Sequence, residues 1–193
     1  MKGPHPGGRP VNEQAGAALL EAARALVAEH GYDKVSMQMI ADHAGVGRQT
    51  AYRRWPSKAD LVLNAFLNYS RQMNVIEPGP VVPMVERFLS QIFADINAVH
   101  GRAIRSLIAA AQDDAEFKES FDKQFVKPRD LILLRILRHG VEQGEIPESA
   151  NLNLVIDAIH GAFWYRLLLG RRLTTRYARE LAAYAIHGVH AAA

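Results

Sequence analysis

The densest uncompensated positive charge in the chain lies in a short stretch that reads AGVGRQTAYRRWPSK, from position 44 to position 58. It contains Arg48, Arg53, Arg54 and Lys58 and no acidic residue. Guanidinium and ammonium groups clustered in this way are the side chains that bind phosphates and base edges of nucleic acids. A basic run is also a common feature of an ordinary solvated helix face, so the elements around it decide between the two interpretations.

Three helices are predicted around this run. Hydrophobic residues recur three and four apart after Asn12, a good N-terminal cap, and Gly31 is placed to end this first helix. Ser36 is placed to cap a second helix, Gly45 permits a tight turn, and Pro56 ends a third helix because proline lacks a backbone N–H. Two short helices joined by a glycine turn and backed by a longer one form a helix-turn-helix unit, whose last helix enters the major groove of DNA.

The rest of the chain is predicted to be helical, because no segment shows the sustained alternation of a strand. Pro128 falls inside a strongly helical stretch, so that helix is expected to kink or to start afresh there. The further helices are predicted near residues 57–74, 82–99, 102–112, 115–142, 151–170 and 174–191.

Composition excludes several classes of function. The 193 residues include no cysteine, so disulfides, thiolate metal sites and cysteine nucleophiles are impossible. No apolar run approaches the ~20 residues that cross a bilayer, and the N-terminus lacks the apolar segment of a signal peptide, so we expect a cytoplasmic protein. Motifs of serine hydrolases, zinc proteases and nucleotide-binding loops are missing, and two helical pairs, Asp157 with His160 and His187 with His190, lack partners for a metal site. We therefore expect no enzyme activity, no cofactor and no metal.

The segment SMQMIADHAGVGRQTAYRRWPSKADLV resembles the DNA-binding signature of the tetracycline-repressor (TetR) family. The segment IPESANLNLVIDAIHGAFWYRLLLGRRLTTRYARELAAYAIHG is also similar to the last two helices of many such regulators. One position departs from the pattern, because Gly47 stands where the family commonly has Ser or Thr. The matching residues of the signature are Ser36, Ile40, Ala41, Ala44, Gly45, Val46, Tyr52, Trp55, Pro56, Ser57, Lys58 and Leu61.

The resemblance implies an all-α chain with an N-terminal three-helix helix-turn-helix DNA-binding domain and a C-terminal helical ligand-binding and dimerisation domain. The expected divisions are a flexible basic arm at residues 1–11, the helix-turn-helix domain at 12–56, and the effector-binding and dimerisation domain at 57–193.

Individual residues receive predicted roles on DNA. Arg48 is the best base reader, because arginine pairs bidentately with guanine, while Gln49 suits adenine and Thr50 suits a base edge or a thymine methyl group. The resemblance implies phosphate contacts from Tyr52 and Lys58. The predicted DNA-binding set is Arg9, Ser36, Gln38, Arg48, Gln49, Thr50, Tyr52, Arg53 and Lys58, with Arg9 reaching the minor groove.

The resemblance also implies a homodimer and an effector pocket in the C-terminal part. Each residue of these two sets has an alternative role as plain core. The predicted dimer surface comprises Val155, Ala158, Ile159, Ala162, Phe163, Tyr177, Leu181 and Tyr184. The predicted pocket comprises Phe66, Phe88, Ile92, Phe93, Ile96, Leu107, Phe121, Phe125, Leu133, Trp164 and Leu168, with His100, Arg105 and His160 as polar groups.

The resulting hypothesis is a ligand-responsive transcriptional regulator, by family default a repressor. It would bind a palindromic double-stranded DNA operator as a dimer and be released by a small, largely apolar effector. The alternative is a helical adaptor whose helix-turn-helix binds protein. Salt dependence distinguishes the two, because phosphate binding weakens steeply with salt and an apolar protein interface does not.

Overall fold

The computed structural model describes residues 9–67, 79–97 and 101–191, and all regular structure within these ranges is helical. The predicted all-α architecture is confirmed. None of the helices in these ranges has the length and hydrophobicity of a membrane span. The helices are α1 (Arg9–His30), α2 (Met37–His43), α3 (Arg48–Arg54), α4 (Lys58–Leu67), α5 (Val81–Asp95), α6 (Gly101–Asp113), α7 (Ala115–Phe121), α8 (Lys127–Glu142), α9 (Leu152–Leu168) and α10 (Thr175–Ala191).

Helix α1 begins earlier than the sequence predicted. It starts at Arg9 instead of following a cap at Asn12, so residues 9–11, expected in the flexible arm, are helical. Pro10 does not prevent this, because the first-turn N–H groups of a helix have no partner within the helix. The Arg9 side chain and residues 1–8 lie outside the described part of the chain.

The helix-turn-helix unit packs on the buried stripe of α1 that the sequence indicated. From this stripe Leu19, Ala23 and Val27 are fully buried, and Ile40 of α2 and Ala51 of α3 pack into the same core. Helix α4 also packs against α1. Burial of this apolar face, at roughly 25 cal/mol per Å² of surface removed from water, holds three short helices that would be marginal alone.

In the C-terminal domain, α5 packs between α8 and α10, and its buried face reaches α9. Phe93 of α5 lies at the centre, with its ring centroid 5.7 Å from that of Phe163 and 6.0 Å from that of Tyr177. The helix predicted over 115–142 is interrupted by a π-helical turn, Asp122–Val126, and Pro128 falls in the first turn of α8. The expected restart at this proline is therefore confirmed.

Tyr32 joins the two domains. Its ring packs on Phe117 of α7 with centroids 4.4 Å apart, and its backbone N–H donates to the Ser106 hydroxyl of α6 at 3.2 Å. Lys58, at the start of α4, donates to the Tyr32 carbonyl at 3.1 Å and lies 3.9 Å from the centre of the Tyr32 ring. Helix α4 is thus attached at its first residue to the contact between the domains.

Candidate nucleic-acid interface and effector cavity

Local backbone chemistry sets the angle between α2 and α3. The Ser36 hydroxyl caps α2 by accepting the Met39 N–H at 3.2 Å. Gly45 adopts a φ of +64°, a conformation that favours glycine, and the turn closes as the Val46 N–H donates to the Ala41 carbonyl at 2.9 Å. The following cap, Gly47, gives no side-chain hydrogen bond to α3. The turn that the sequence predicted is therefore present with its glycine where a positive φ is needed.

Helix α3 faces solvent with its polar residues. Arg48, Gln49, Tyr52 and Arg53 are exposed and Thr50 is half-buried, while Ala51 is fully buried beneath them. Among the described residues, no carboxylate lies within ion-pair distance of Arg48 or Arg53. An exposed helix with uncompensated guanidinium groups has the charge and shape of a major-groove element.

Arg48 is partly ordered by its neighbour one turn along the helix. Its Nη2 donates to the Tyr52 hydroxyl at 3.4 Å, and its Cζ lies 5.3 Å from the centre of the Tyr52 ring. This i, i+4 contact keeps the guanidinium on the exposed face of α3. The two residues predicted to contact a base and a phosphate are therefore neighbours on one surface.

Arg54 faces away from that surface. Its guanidinium lies against Gly16 of α1, where an added Cβ would overlap with it, and its Cζ is 5.8 Å from the centre of the Trp55 ring. Among the four basic residues clustered in this part of the sequence, Arg54 is the one that packs against α1. The absence of a side chain at Gly16 is what gives it room.

The remaining predicted phosphate contacts lie on α2 and at the start of α4. Ser36 and Gln38 are exposed, and Gln38 Nε2 donates to Asp42 Oδ1 at 2.6 Å. Lys58 is half-buried, and burial lowers its pKa, with Asp33 and Asp114 opposing the shift. Its ammonium group binds the Tyr32 carbonyl in this structure, so its phosphate contact stays a prediction.

A cavity lies between α4, α5, α6, the π-helical turn, α8 and α9. Its empty volume, counted out to its open mouth, is about 450 Å³. The cavity is narrow, however, and the volume that the centre of a water molecule can reach is about 30 Å³. That is room for a few water molecules, so a larger ligand requires the walls to separate. The lining residues are Phe66, Ile92, Asp95, Ile96, Ile104, Phe125, Arg129, Phe163 and Trp164.

The residues predicted for an effector pocket coincide only in part with the lining of this cavity. Phe66, Ile92, Ile96, Phe125 and Trp164 do line the cavity, whereas Asp95, Ile104, Arg129 and Phe163 were not predicted for it. His100 lies outside the described residues, and half-buried Arg105 is absent from the wall. The other aromatic and aliphatic candidates do not line it: Phe88, Phe93, Leu107, Phe121 and Leu133 are buried in the core, and Leu168 is exposed.

His160, predicted as a polar group of the pocket, lies beside the cavity and does not line it. Its Nδ1 is 3.0 Å from Asp130 Oδ1, and its buried Nε2 has no hydrogen-bond partner among the described residues. Burial lowers the pKa of His160 to about 4, the positive charge of Arg129 adds to the shift, and Asp157 opposes it. The imidazole is therefore neutral in the folded protein near neutral pH.

This lowered pKa predicts a loss of stability in acid. Because the unfolded chain binds the proton first, the free energy of unfolding falls as the pH drops from 6.5 towards 4. The slope from this group is roughly 1 kcal/mol per pH unit. Urea unfolding across this range should show that slope reduced in His160→Phe, a change that keeps the edge-to-face ring contact with Phe163. An equal reduction in the exposed control His43→Gln would contradict this assignment.

The predicted dimer face of α9 requires a correction. Val155, Ile159 and Phe163 point into the protomer's own core, with exposed fractions of 8%, 0% and 1%. Helix α9 is apolar on nearly all sides, so its periodicity does not show which face lies outward. The exposed apolar residues of α9, here named the α9 stripe, are Leu154, Ala158, Gly161, Tyr165 and Leu168, and Asp157 is exposed beside them.

Helix α10, which packs against α9, also exposes a large side chain. Tyr184 is 79% exposed, the largest exposure among the bulky hydrophobic residues described. Leu181 and, on α9, Ala162 are half-buried, whereas Tyr177 stacks on Phe93 of its own protomer and is also half-buried.

The fold and these sites define a class of protein: a helix-turn-helix DNA-binding unit joined to a helical domain with an internal cavity. Two family models match the chain in this order. The model for bacterial regulatory proteins of the tetR family matches residues 19–65, and the model for the tetracycline-repressor-like C-terminal domain matches residues 84–185. The chain belongs to the TetR family. This membership confirms the predicted ligand-responsive DNA-binding transcriptional regulator and does not favour the adaptor alternative.

Related proteins align with this chain along most of its length. The uncharacterized HTH-type transcriptional regulator YdeS of Bacillus subtilis is 32% identical over 95% of this chain and 94% of its own. The DNA-binding transcriptional repressor TetR of Mycobacteroides abscessus is 25% identical over 88% of this chain and 90% of its own. The crystal structure of FadR from Bacillus subtilis with stearoyl-CoA shares the fold, with a TM-score of 0.76 and 22% identity over 90% of this chain and 99% of that one.

Proposed function

We propose that this regulator is a cytoplasmic homodimeric repressor that places α3 of each protomer in the major groove of a palindromic operator. The observation that carries the proposal is the exposed face of α3, where Arg48 and Arg53 lack a carboxylate partner among the described residues. Unpaired guanidinium groups on a helix held by two packed neighbours are suited to phosphates and guanine edges. Arg48 reads a base in this proposal, and Tyr52 beside it binds the adjoining phosphate.

Dimerisation is proposed through the α9 stripe together with Tyr184 of α10. Gly161 supports this arrangement, because no atom of the described residues lies within 4 Å of a Cβ built there and a partner helix has space to approach closely. Leu154, Tyr165 and Leu168 are exposed by 62%, 58% and 51% and would lose this apolar exposure on pairing. A four-helix contact of α9 and α10 with their symmetry mates fixes the distance between the two recognition helices.

Helix α4 is proposed to transmit effector binding to the DNA-binding unit. Phe66 near its end lines the cavity, while Asp60 near its start accepts a 3.4 Å hydrogen bond from Gln124 of the π-helical turn. The same turn carries Phe125, another wall of the cavity. A ligand that separates Phe66 from Phe125 would therefore shift α4, and with it the separation of the α3 helices in the dimer.

The narrow cavity suits a protein with two conformations, a DNA-binding one in which the cavity is narrow and another in which its walls are separated. A ligand large enough to require wider walls binds the wide state and shifts the population away from the DNA-binding one. The lining is mainly apolar, which favours a largely apolar effector. The stearoyl-CoA complex of FadR supports a lipid-like effector only through similarity of fold.

The operator prediction is tested by selecting duplexes that the purified protein retains from a random pool. A dimer with two α3 helices should enrich a two-fold symmetric site whose half-sites are about one helical turn apart, roughly 34–36 Å between centres, or a multiple of that distance. Two outcomes would contradict the proposal. One is enrichment of a single asymmetric half-site, and the other is that no sequence becomes enriched even at low salt.

A further inference from the structure

One cationic side chain lines the described cavity, and it has an unusual environment. Arg129 of α8 lies flat on the Phe125 ring, with its Cζ 3.7 Å from the ring centre. Its Nη1 donates to the Phe125 carbonyl at 2.6 Å, whereas its Nε is completely buried and has no hydrogen-bond partner among the described residues. The guanidinium is thus fixed in direction, with one edge unused.

Arg129 also lacks a close counter-ion. In the described ranges no carboxylate lies within 4.0 Å of its nitrogens. Burial lowers the pKa of Arg129 to about 10, and the negative charge of Asp95 opposes this shift. The neighbouring Asp130 carboxylate lies beside His160, on another face of α8. A buried cation without a close anion is destabilising, and a ligand that brings one removes that penalty.

We propose that the cavity binds an apolar molecule bearing one carboxylate, which accepts side-on hydrogen bonds from Nε and Nη2 of Arg129. The carbonyl of Phe125 already occupies Nη1, so the free edge of the guanidinium is the Nε–Nη2 edge, whose geometry matches two carboxylate oxygens. The hydrocarbon part of the ligand would contact Phe66, Ile96 and Trp164. This inference rests on the effector role proposed above for the cavity.

A cationic ligand is the competing possibility, because Asp95 also lines the cavity. Asp95 already accepts a hydrogen bond from Gln91 Nε2 at 3.0 Å and makes a further interaction. Asp95 thus already accepts a hydrogen bond, whereas Nε of Arg129 has no hydrogen-bond partner among the described residues. The unused Nε–H donor of Arg129 therefore favours an anionic ligand over an amine.

The first experiment compares head groups on one hydrocarbon chain. Octanoate, decanoate and dodecanoate are titrated into the full-length protein without DNA, together with the matching alcohols and amines. Trp164 in the cavity wall supplies the fluorescence signal, and a Trp55→Phe background removes the other tryptophan. The carboxylates should bind about 10- to 100-fold more tightly than the alcohols of equal length. Equal binding of acids and alcohols, or tighter binding of amines, would overturn the proposal.

The second experiment removes the guanidinium. Arg129→Gln should lose the preference for acid over alcohol while keeping the alcohol affinity, and Arg129→Lys should retain part of the preference. Arg135→Gln, an exposed change on the same helix, should leave the preference intact. Retention of the full preference for acids in Arg129→Gln would contradict the assignment. If this variant does not fold, the comparison of acids, alcohols and amines in the first experiment still tests the proposal.

A separate measurement distinguishes this inference from the proposed function. The same carboxylates are added to the protein bound to its selected duplex. If acids bind through Arg129 but do not release DNA, the cavity assignment is correct and the effector role is wrong. If alcohols or amines release DNA and acids do not, the effector role is correct and the assignment to carboxylates is wrong.

Discussion

Replacing both Leu154 and Leu168 by glutamate is expected to give folded monomers with operator affinity weakened by at least about 100-fold. Both side chains are exposed in the protomer, so the changes should leave its own core intact. In the proposed dimer they would bury carboxylates without partners between two α9 helices. Once the protomers separate, the two recognition helices no longer bind as a linked pair, and a bivalent advantage of 10²–10⁴ disappears.

Light scattering gives the oligomeric state of this variant, circular dichroism its helicity, and fluorescence anisotropy its affinity for the selected duplex. Leu131→Glu is the matched control, because Leu131 is 60% exposed on α8, outside the α9 stripe. It should remain dimeric and bind DNA normally. A double variant that stays dimeric with unchanged affinity would show that the protomers pair through another surface.

The second large effect is expected at Arg48. Arg48→Ala should weaken binding by about 1–3 kcal/mol for each half-site and relax the preference at one base pair of each. The residue is exposed, and its described hydrogen bond is the 3.4 Å contact with Tyr52, so folding should be unaffected. The loss comes from the bidentate contact with guanine that alanine does not make.

Arg54→Ala provides the matched control for this prediction. It removes the same charge from the same helix, but the Arg54 guanidinium packs against Gly16 of α1, away from the exposed face. Its effect on base preference should be absent, and any loss of affinity should be uniform across sequences. Equal relaxation of sequence preference by the two variants would contradict the orientation assigned to α3.

The helix-turn-helix unit could be predicted almost residue by residue because its signals are local. Gly45 was placed by the tight turn that it permits, Pro56 by its missing N–H, and the Ser36 cap by its hydroxyl at the start of the second helix. In the structure the Ser36 hydroxyl accepts the Met39 N–H at 3.2 Å. Such features depend on neighbours within one turn, which a single sequence displays.

Features set by packing between distant elements could not be predicted in the same way. Phe163 was assigned to the dimer surface, yet it is buried and lines the cavity, because α9 is apolar on almost every side. Arg129 was not predicted as a cavity residue, since its position follows from the π-helical turn that precedes α8. Arg54 belonged to the basic cluster in sequence, but the space above Gly16 determines its direction.

The central claim is that the exposed face of α3 binds duplex DNA through the guanidinium groups of Arg48 and Arg53. Its most direct test is the fluorescence anisotropy of the selected duplex with the purified protein over a series of salt concentrations, starting at low ionic strength. The logarithm of the binding constant should fall linearly with the logarithm of salt concentration, with a slope of about −0.9 for each phosphate neutralised. Failure to bind any duplex at low salt, or an affinity that does not change with salt, would contradict the account.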